Sequence, residues 1–130
     1  MVRCRGGPSE RSEAIQAISV TIGIPVRDLA SSRTWYERLL GREPDLEPVA
    51  GIVEYQVGGV WVQLMDGEPP GGSWTLRFGV ADLDSEHERL RGLGIEAGDV
   101  QTVPGAIRYF DFADPDGNRL SWYQELDQAP

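Results

Sequence analysis

The stretch Val26-Arg27-Asp28-Leu29 returns later in the chain as Val80-Ala81-Asp82-Leu83, a shift of 54 residues. The same shift carries Leu39 onto Leu93 and Thr21 onto Thr75. Before the first copy, residues 18–25 alternate and are β-branched, which predicts a strand. After it, Leu29, Trp35, Tyr36, Leu39 and Leu40 keep helical spacing, with Asp28 placed to cap the start and Gly41 to supply a left-handed stop. A short strand is expected over residues 45–50. Strands over residues 52–57 and 60–65 then flank Gly58-Gly59, a pair suited to a tight hairpin. The second half repeats the order: strand 74–80, helix 82–93, short strand 99–103, then strands 107–112 and 119–125 around Asp114-Pro115-Asp116-Gly117-Asn118. Each half reads β-α-β-β-β. Two copies of so long a unit predict an α+β fold of two modules side by side rather than a solenoid.

The chain has 130 residues, which predicts one domain with a core that needs no covalent staples. We expect a disordered leader over residues 1–14 and a single domain over 15–127, with module 1 at about 17–66 and module 2 at about 72–125. Cys4 is the only cysteine, so an internal disulfide is excluded and a reducing compartment fits. The net charge of −9 repels phosphate backbones and argues against nucleic acid as a partner. No apolar run approaches the ~20 residues that span a bilayer. The basic opening, Met1-Val2-Arg3-Cys4-Arg5, has no hydrophobic stretch after it and does not read as a secretory signal. The expected location is cytoplasmic, with no membrane partner.

Strand alternation assigns the faces. Across the Gly58-Gly59 hairpin, Val57 pairs with Val60, Tyr55 with Val62 and Val53 with Leu64, an apolar set that must lie against a helix. The other face carries Glu54, Gln56, Trp61, Gln63 and Met65. In the second half Trp74, Leu76, Phe78 and Val80 turn inward with Phe110, Phe112, Leu120 and Trp122. Thr75, Arg77, Gly79, Tyr109, Asp111, Arg119, Ser121 and Tyr123 are left on the opposite face, and Thr21 and Gly23 join it by the repeat. So much aromatic surface among polar groups suggests that a curved mixed sheet encloses a ligand cleft. Its expected lining is Glu54, Gln56, Trp61, Gln63, Thr75, Arg77, Tyr109, Asp111, Ser121 and Tyr123. In it Trp61 is suited to stack on a planar ligand and Arg77 to grip an anionic or carbonyl group through its fork of donors. Asp114, Asp116, Gly117 and Asn118 read as turn chemistry.

Two of these segments resemble the vicinal oxygen chelate superfamily, which includes glyoxalase I, fosfomycin-resistance enzymes, extradiol dioxygenases and bleomycin-resistance proteins. One is Pro25-Val26-Arg27-Asp28-Leu29 running into Trp35-Tyr36-Glu37-Arg38-Leu39-Leu40-Gly41. The other is Phe112-Ala113-Asp114-Pro115-Asp116-Gly117-Asn118-Arg119-Leu120. The resemblance covers about residues 17–125. It implies the glyoxalase/bleomycin-resistance-type fold and, since two-module relatives commonly pair, a homodimer.

The resemblance also locates the metal ligands of relatives, and the positions read Thr21, Gln63, Thr75 and Ser121 here. Hydroxyls are poor ligands for ions that want imidazole or carboxylate, so only Gln63 could serve. The one histidine, His87, falls on the helix stripe that faces the back of the sheet. No transition-metal site, no cofactor and no catalytic residue is therefore assigned, although a hard cation between Glu54 and Asp111 stays open. The expected function is binding or sequestering an aromatic or amphipathic metabolite or antibiotic, as the bleomycin-resistance branch does. The competing expectation is a lyase, isomerase or cyclase that uses Asp111 or Glu54 with Arg77 and no transition metal.

Overall fold

The computed structural model describes residues 14–69 and 74–126. The leader expected over residues 1–14 lies, but for Ala14, outside this range. The first module runs β1 (Thr21–Val26), α1 (Leu29–Leu40), β2 (Leu46–Val49), β3 (Ile52–Val57) and β4 (Val60–Asp66). The second runs β5 (Leu76–Gly79), α2 (Leu83–Gly92), β6 (Gln101–Val103), β7 (Ile107–Ala113) and β8 (Arg119–Glu125). Each module forms a four-stranded mixed sheet, ordered β1-β4-β3-β2 and β5-β8-β7-β6. In both, the first strand runs parallel to the last and the other pairs are antiparallel. This is the expected tandem α+β architecture, as two sheets that do not close on each other.

Local chemistry sets the helix ends. The Asp28 carboxylate accepts from the amide of Ala30 at 3.2 Å, and Gly41 adopts φ 74° while its amide bonds the carbonyl of Glu37. Asp82 caps α2 through the Ser85 amide at 3.1 Å and the Ser85 hydroxyl at 2.8 Å. The exposed Asp82 carboxyl is held below its ordinary range, chiefly by the backbone hydrogen bond from Ser85.

Strands β1, β2, β5 and β6 are shorter than the sequence pattern predicts, and pairing explains β1 and β5. β1 begins at Thr21 because β4 turns back at Gly58-Gly59; the bond from the Trp61 amide to the Val20 carbonyl ends the ladder, and Ile18 is fully exposed. β5 begins at Leu76 because its partner β8 begins at Arg119.

The apolar faces form one core that draws on both modules, including Ile24, Val53 and Leu64 from the first and Leu83, Phe110 and Leu120 from the second. Side chains of this kind each contribute about 1.5–3 kcal/mol when fully buried. The modules are also latched by polar contacts. The Tyr36 hydroxyl donates to Asp114 at 2.7 Å, Asn118 donates to the Pro25 carbonyl at 3.2 Å, and the Arg27 amide donates to Asp116 at 3.2 Å. The helices exchange bonds as well, from Arg38 to the Leu93 carbonyl and from Arg89 to the Leu39 carbonyl, each at 2.7 Å. Asp114 further accepts from the amides of Asp116 and Asn118, so the turn expected at 114–118 also fastens one module to the other. Among the described residues, no helix is long and apolar enough to cross a membrane.

Candidate functional site

Strand register arranges the expected lining residues in short cross-strand rows. On the first sheet, Trp61 stands between Thr21 and Gln56, and Gln63 between Gly23 and Glu54. Their inward neighbours Val62 and Leu64 are buried, so Trp61 and Gln63 face away from the helix as parity predicts. The Gln63 amide donates to the Glu54 carboxylate at 2.7 Å. Gly23 makes room for this row, since a Cβ there would lie 2.8 Å from the Met65 methyl. Gln56 is exposed, and its carbonyl and amide are tied to Arg42 and Asp45.

On the second sheet one row reads Arg77, Ser121, Asp111 and the next reads Gly79, Tyr123, Tyr109. Arg77 donates to the Ser121 hydroxyl at 3.2 Å, and its guanidinium lies 5.9 Å from the Tyr109 ring centre. Ser121 in turn donates to the Phe110 carbonyl at 3.2 Å and is fully buried. The Tyr123 side chain passes close to Gly79, where a Cβ would meet its ring carbons and hydroxyl at 3.0–3.3 Å. Asp111 is exposed, and half-buried Thr75 precedes β5.

The structure thus gathers the ten candidates into two clusters, one on each sheet. A crevice of about 350 Å³ opens between the modules and takes Arg77, Gly79 and Tyr123 from the second cluster. Its other walls include Val57, Val60, Leu76 and Phe78, which strand alternation assigned to the helix-facing sets, together with Ile22. They come from the outer strands β1 and β5 and from the two sides of the Gly58-Gly59 turn. A larger hollow of about 440 Å³ lies behind α2 by His87 and Asp99, away from both clusters. His87 itself bonds the Gly98 carbonyl at 2.9 Å and sits edge-on to Phe110, a structural placement that its helix spacing predicts.

The donor set does not fit a transition metal. Gln63 points its amide nitrogen at Glu54, the Ser121 hydroxyl is committed to Phe110, and the cationic Arg77 stands 3.2 Å from that hydroxyl. A divalent ion here would meet neutral oxygens and a like charge. Glu54 and Asp111 lie on different sheets, and no group of three or more His, Cys, Asp or Glu among the described residues is placed to hold an ion. What the faces offer is hydrogen bonding, aromatic surface and, beside the carboxylates Glu54 and Asp111, the guanidinium of Arg77 held by Ser121.

Two tandem βαβββ modules with polar, aromatic sheet faces define a vicinal-oxygen-chelate-type fold. The model of the Glyoxalase/Bleomycin resistance protein/Dioxygenase superfamily matches residues 18–121, and the chain belongs to that superfamily. Among solved structures it is similar to a glyoxalase/bleomycin resistance protein from Catenulispora acidiphila DSM 44928, at 25% identity and a TM-score of 0.70 over 83% of this chain and 98% of that one. It is also similar to TnmS3, an antibiotic binding protein from Streptomyces sp. CB03234, at 22% identity and a TM-score of 0.72 over 86% of this chain and 99% of that one. The fosfomycin resistance protein FosX from Listeria monocytogenes matches at 20% identity and a TM-score of 0.70 over 85% and 92%. The last two likenesses concern the fold alone. No curated protein matches the chain.

Proposed function

We propose that this protein binds a small aromatic or amphipathic molecule on its polar sheet faces without a transition metal, and that it sequesters a metabolite or antibiotic as a homodimer. The observation that carries the reading is the fate of the four positions where metalloenzymes of the superfamily hold their ion. Thr21, Gln63, Thr75 and Ser121 offer three hydroxyls and an amide, and the Ser121 hydroxyl already serves Phe110 and Arg77. Half-buried Trp61, Tyr109 and Tyr123 supply stacking surface beside hydrogen-bonding groups, the combination that small-molecule sites use. The likeness to an antibiotic binding protein supports the same direction. The open faces support the dimer: the two clusters stand on separate sheets, and exposed Leu46, Val49 and Val103 on the outer strands offer apolar surface to a second copy.

Native mass spectrometry on protein purified without added metal tests the reading. The expected spectrum is a dimer whose mass is that of two polypeptides plus, at most, an organic ligand. Stoichiometric zinc, nickel, manganese or iron in that protein would end it.

A further inference from the structure

Carboxylates outnumber cationic side chains 21 to 12 in this chain, so an arginine finds an acidic partner easily. Arg27, Arg33, Arg42, Arg89, Arg91 and Arg108 each hold one, at 2.8–3.8 Å. Arg77 holds none among the described residues. It is anchored instead by neutral groups, the Ser121 hydroxyl at 3.2 Å and the Tyr109 ring face. That arrangement fixes the guanidinium and leaves most of its five donors unspent.

The surroundings give the missing partner a direction of approach. Asp111 stands in the same row beyond Ser121, two strands from Arg77, which places its backbone roughly 10 Å away. An anion arriving from that side meets a like charge. On the other side lies the open edge of β5 and the crevice of about 350 Å³, into which Arg77 and Tyr123 project one wall. The described residues lining it include no carboxylate, and Ile22, Val57, Val60 and Phe78 make much of it apolar. A volume of this size is at the small end of the ~300–1,000 Å³ range of ligand sites.

Building on the metal-free binding reading above, we infer that the ligand is an amphipathic organic anion: a carboxylate or similar oxyanion on the Arg77 fork, with its apolar body in the crevice. The acidic exterior repels such ligands at long range, so the preference is local to Arg77.

Calorimetric titration of metal-free protein with three matched probes tests this: naphthylacetate, its amide, and naphthylethylamine. The carboxylate is expected to bind on the order of tenfold tighter than the amide, the usual gain for a charge-assisted bond, with the amine weakest. Arg77→Gln should erase the difference between carboxylate and amide by weakening the carboxylate more than the amide, and Arg77→Lys should retain part of it. Circular dichroism of the variants confirms that the exposed site was changed without unfolding. Equal affinities in the parent protein, a preference that survives Arg77→Gln, or no binding of any probe would each overturn the inference. Its failure is separable from that of the parent reading. Amide and amine binding as tightly as carboxylate to metal-free protein removes the anion alone, whereas bound metal in the mass spectrum removes the reading beneath it.

Discussion

Tyr36 shows how much one side chain of this fold carries. Its ring is buried on α1, and its hydroxyl reaches across to a carboxylate on the β7–β8 turn. Burial first, and the Asp114 charge second, push the phenol well above its ordinary range, so the residue serves as a hydrogen-bond donor throughout the physiological range. Tyr36→Phe removes that donor and leaves the Asp114 carboxylate with its bonds to Asp116 and Asn118. Hydrogen bonds to charged groups contribute about 1.5–3 kcal/mol, and the loss should fall in that range. Urea denaturation of the two proteins measures it, and a difference below about 0.5 kcal/mol, the size of an ordinary surface change, would mean that the latch is not a latch. Sequence spacing places Tyr36 on the buried stripe of α1 and Asp114 in a turn. It does not reveal that the two meet, because 78 residues separate them and no local periodicity records a contact between modules.

At the scale of elements, a turn length decides how far pattern reading reaches. Gly58-Gly59 closes β3 onto β4 with two residues, so the pairing of Glu54 with Gln63 and Tyr55 with Val62 follows from counting. The second hairpin needs the five residues 114–118 between β7 and β8, and the shift of 54 that aligns the modules up to their helices fails after that point. Parity still assigns the faces there, because Phe110, Phe112, Leu120 and Trp122 are unambiguous and all are buried. The crevice escaped because it depends on how the edge of β5 sits beside Ile22 and the first hairpin, which alternation within a strand does not encode. Gly79 tests its architecture. It pairs with Tyr123 on the neighbouring strand and leaves room for that side chain to come close to the backbone. In Gly79→Ala the new methyl would approach the ring carbons and hydroxyl of Tyr123 at 3.0–3.3 Å, closer than a normal contact, so the side chain has to move by a few tenths of an ångström. The expected outcome is a folded protein that binds naphthylacetate several-fold more weakly. Affinity equal to the parent's in calorimetry would show that Tyr123 does not shape the site.

At the scale of the whole molecule, the core shared by both modules leads us to propose one cooperative unit, despite the repeat. Two modules of about fifty residues each would be marginal alone, since small units bury too little surface to offset chain entropy. Here a single core takes side chains from both, and the polar latch adds Tyr36, Arg27 and Arg38 from one module to Asp114, Asp116 and the Leu93 carbonyl from the other. Alkaline unfolding exposes this coupling because its trigger lies in one module only. Burial pushes Tyr55 from its ordinary 10 up to about 12, and Tyr36 is raised further by the same cause. Both phenols are therefore neutral in the folded chain where the unfolded chain already ionises them. The stability they contribute is complete below pH 10; the Tyr55 share is lost as the pH rises through about 12 and the Tyr36 share goes on falling beyond it, so the native state should weaken steeply from pH 10 upward. If the modules are independent, only the first should melt. If they share one transition, methyl resonances of Val53 and Leu64 in the first module and of Leu83 and Leu120 in the second should fade together at one alkaline midpoint. Persistence of the Leu83 and Leu120 signals after those of Val53 and Leu64 have gone would divide the molecule into two folding units, with the latch reduced to surface contact.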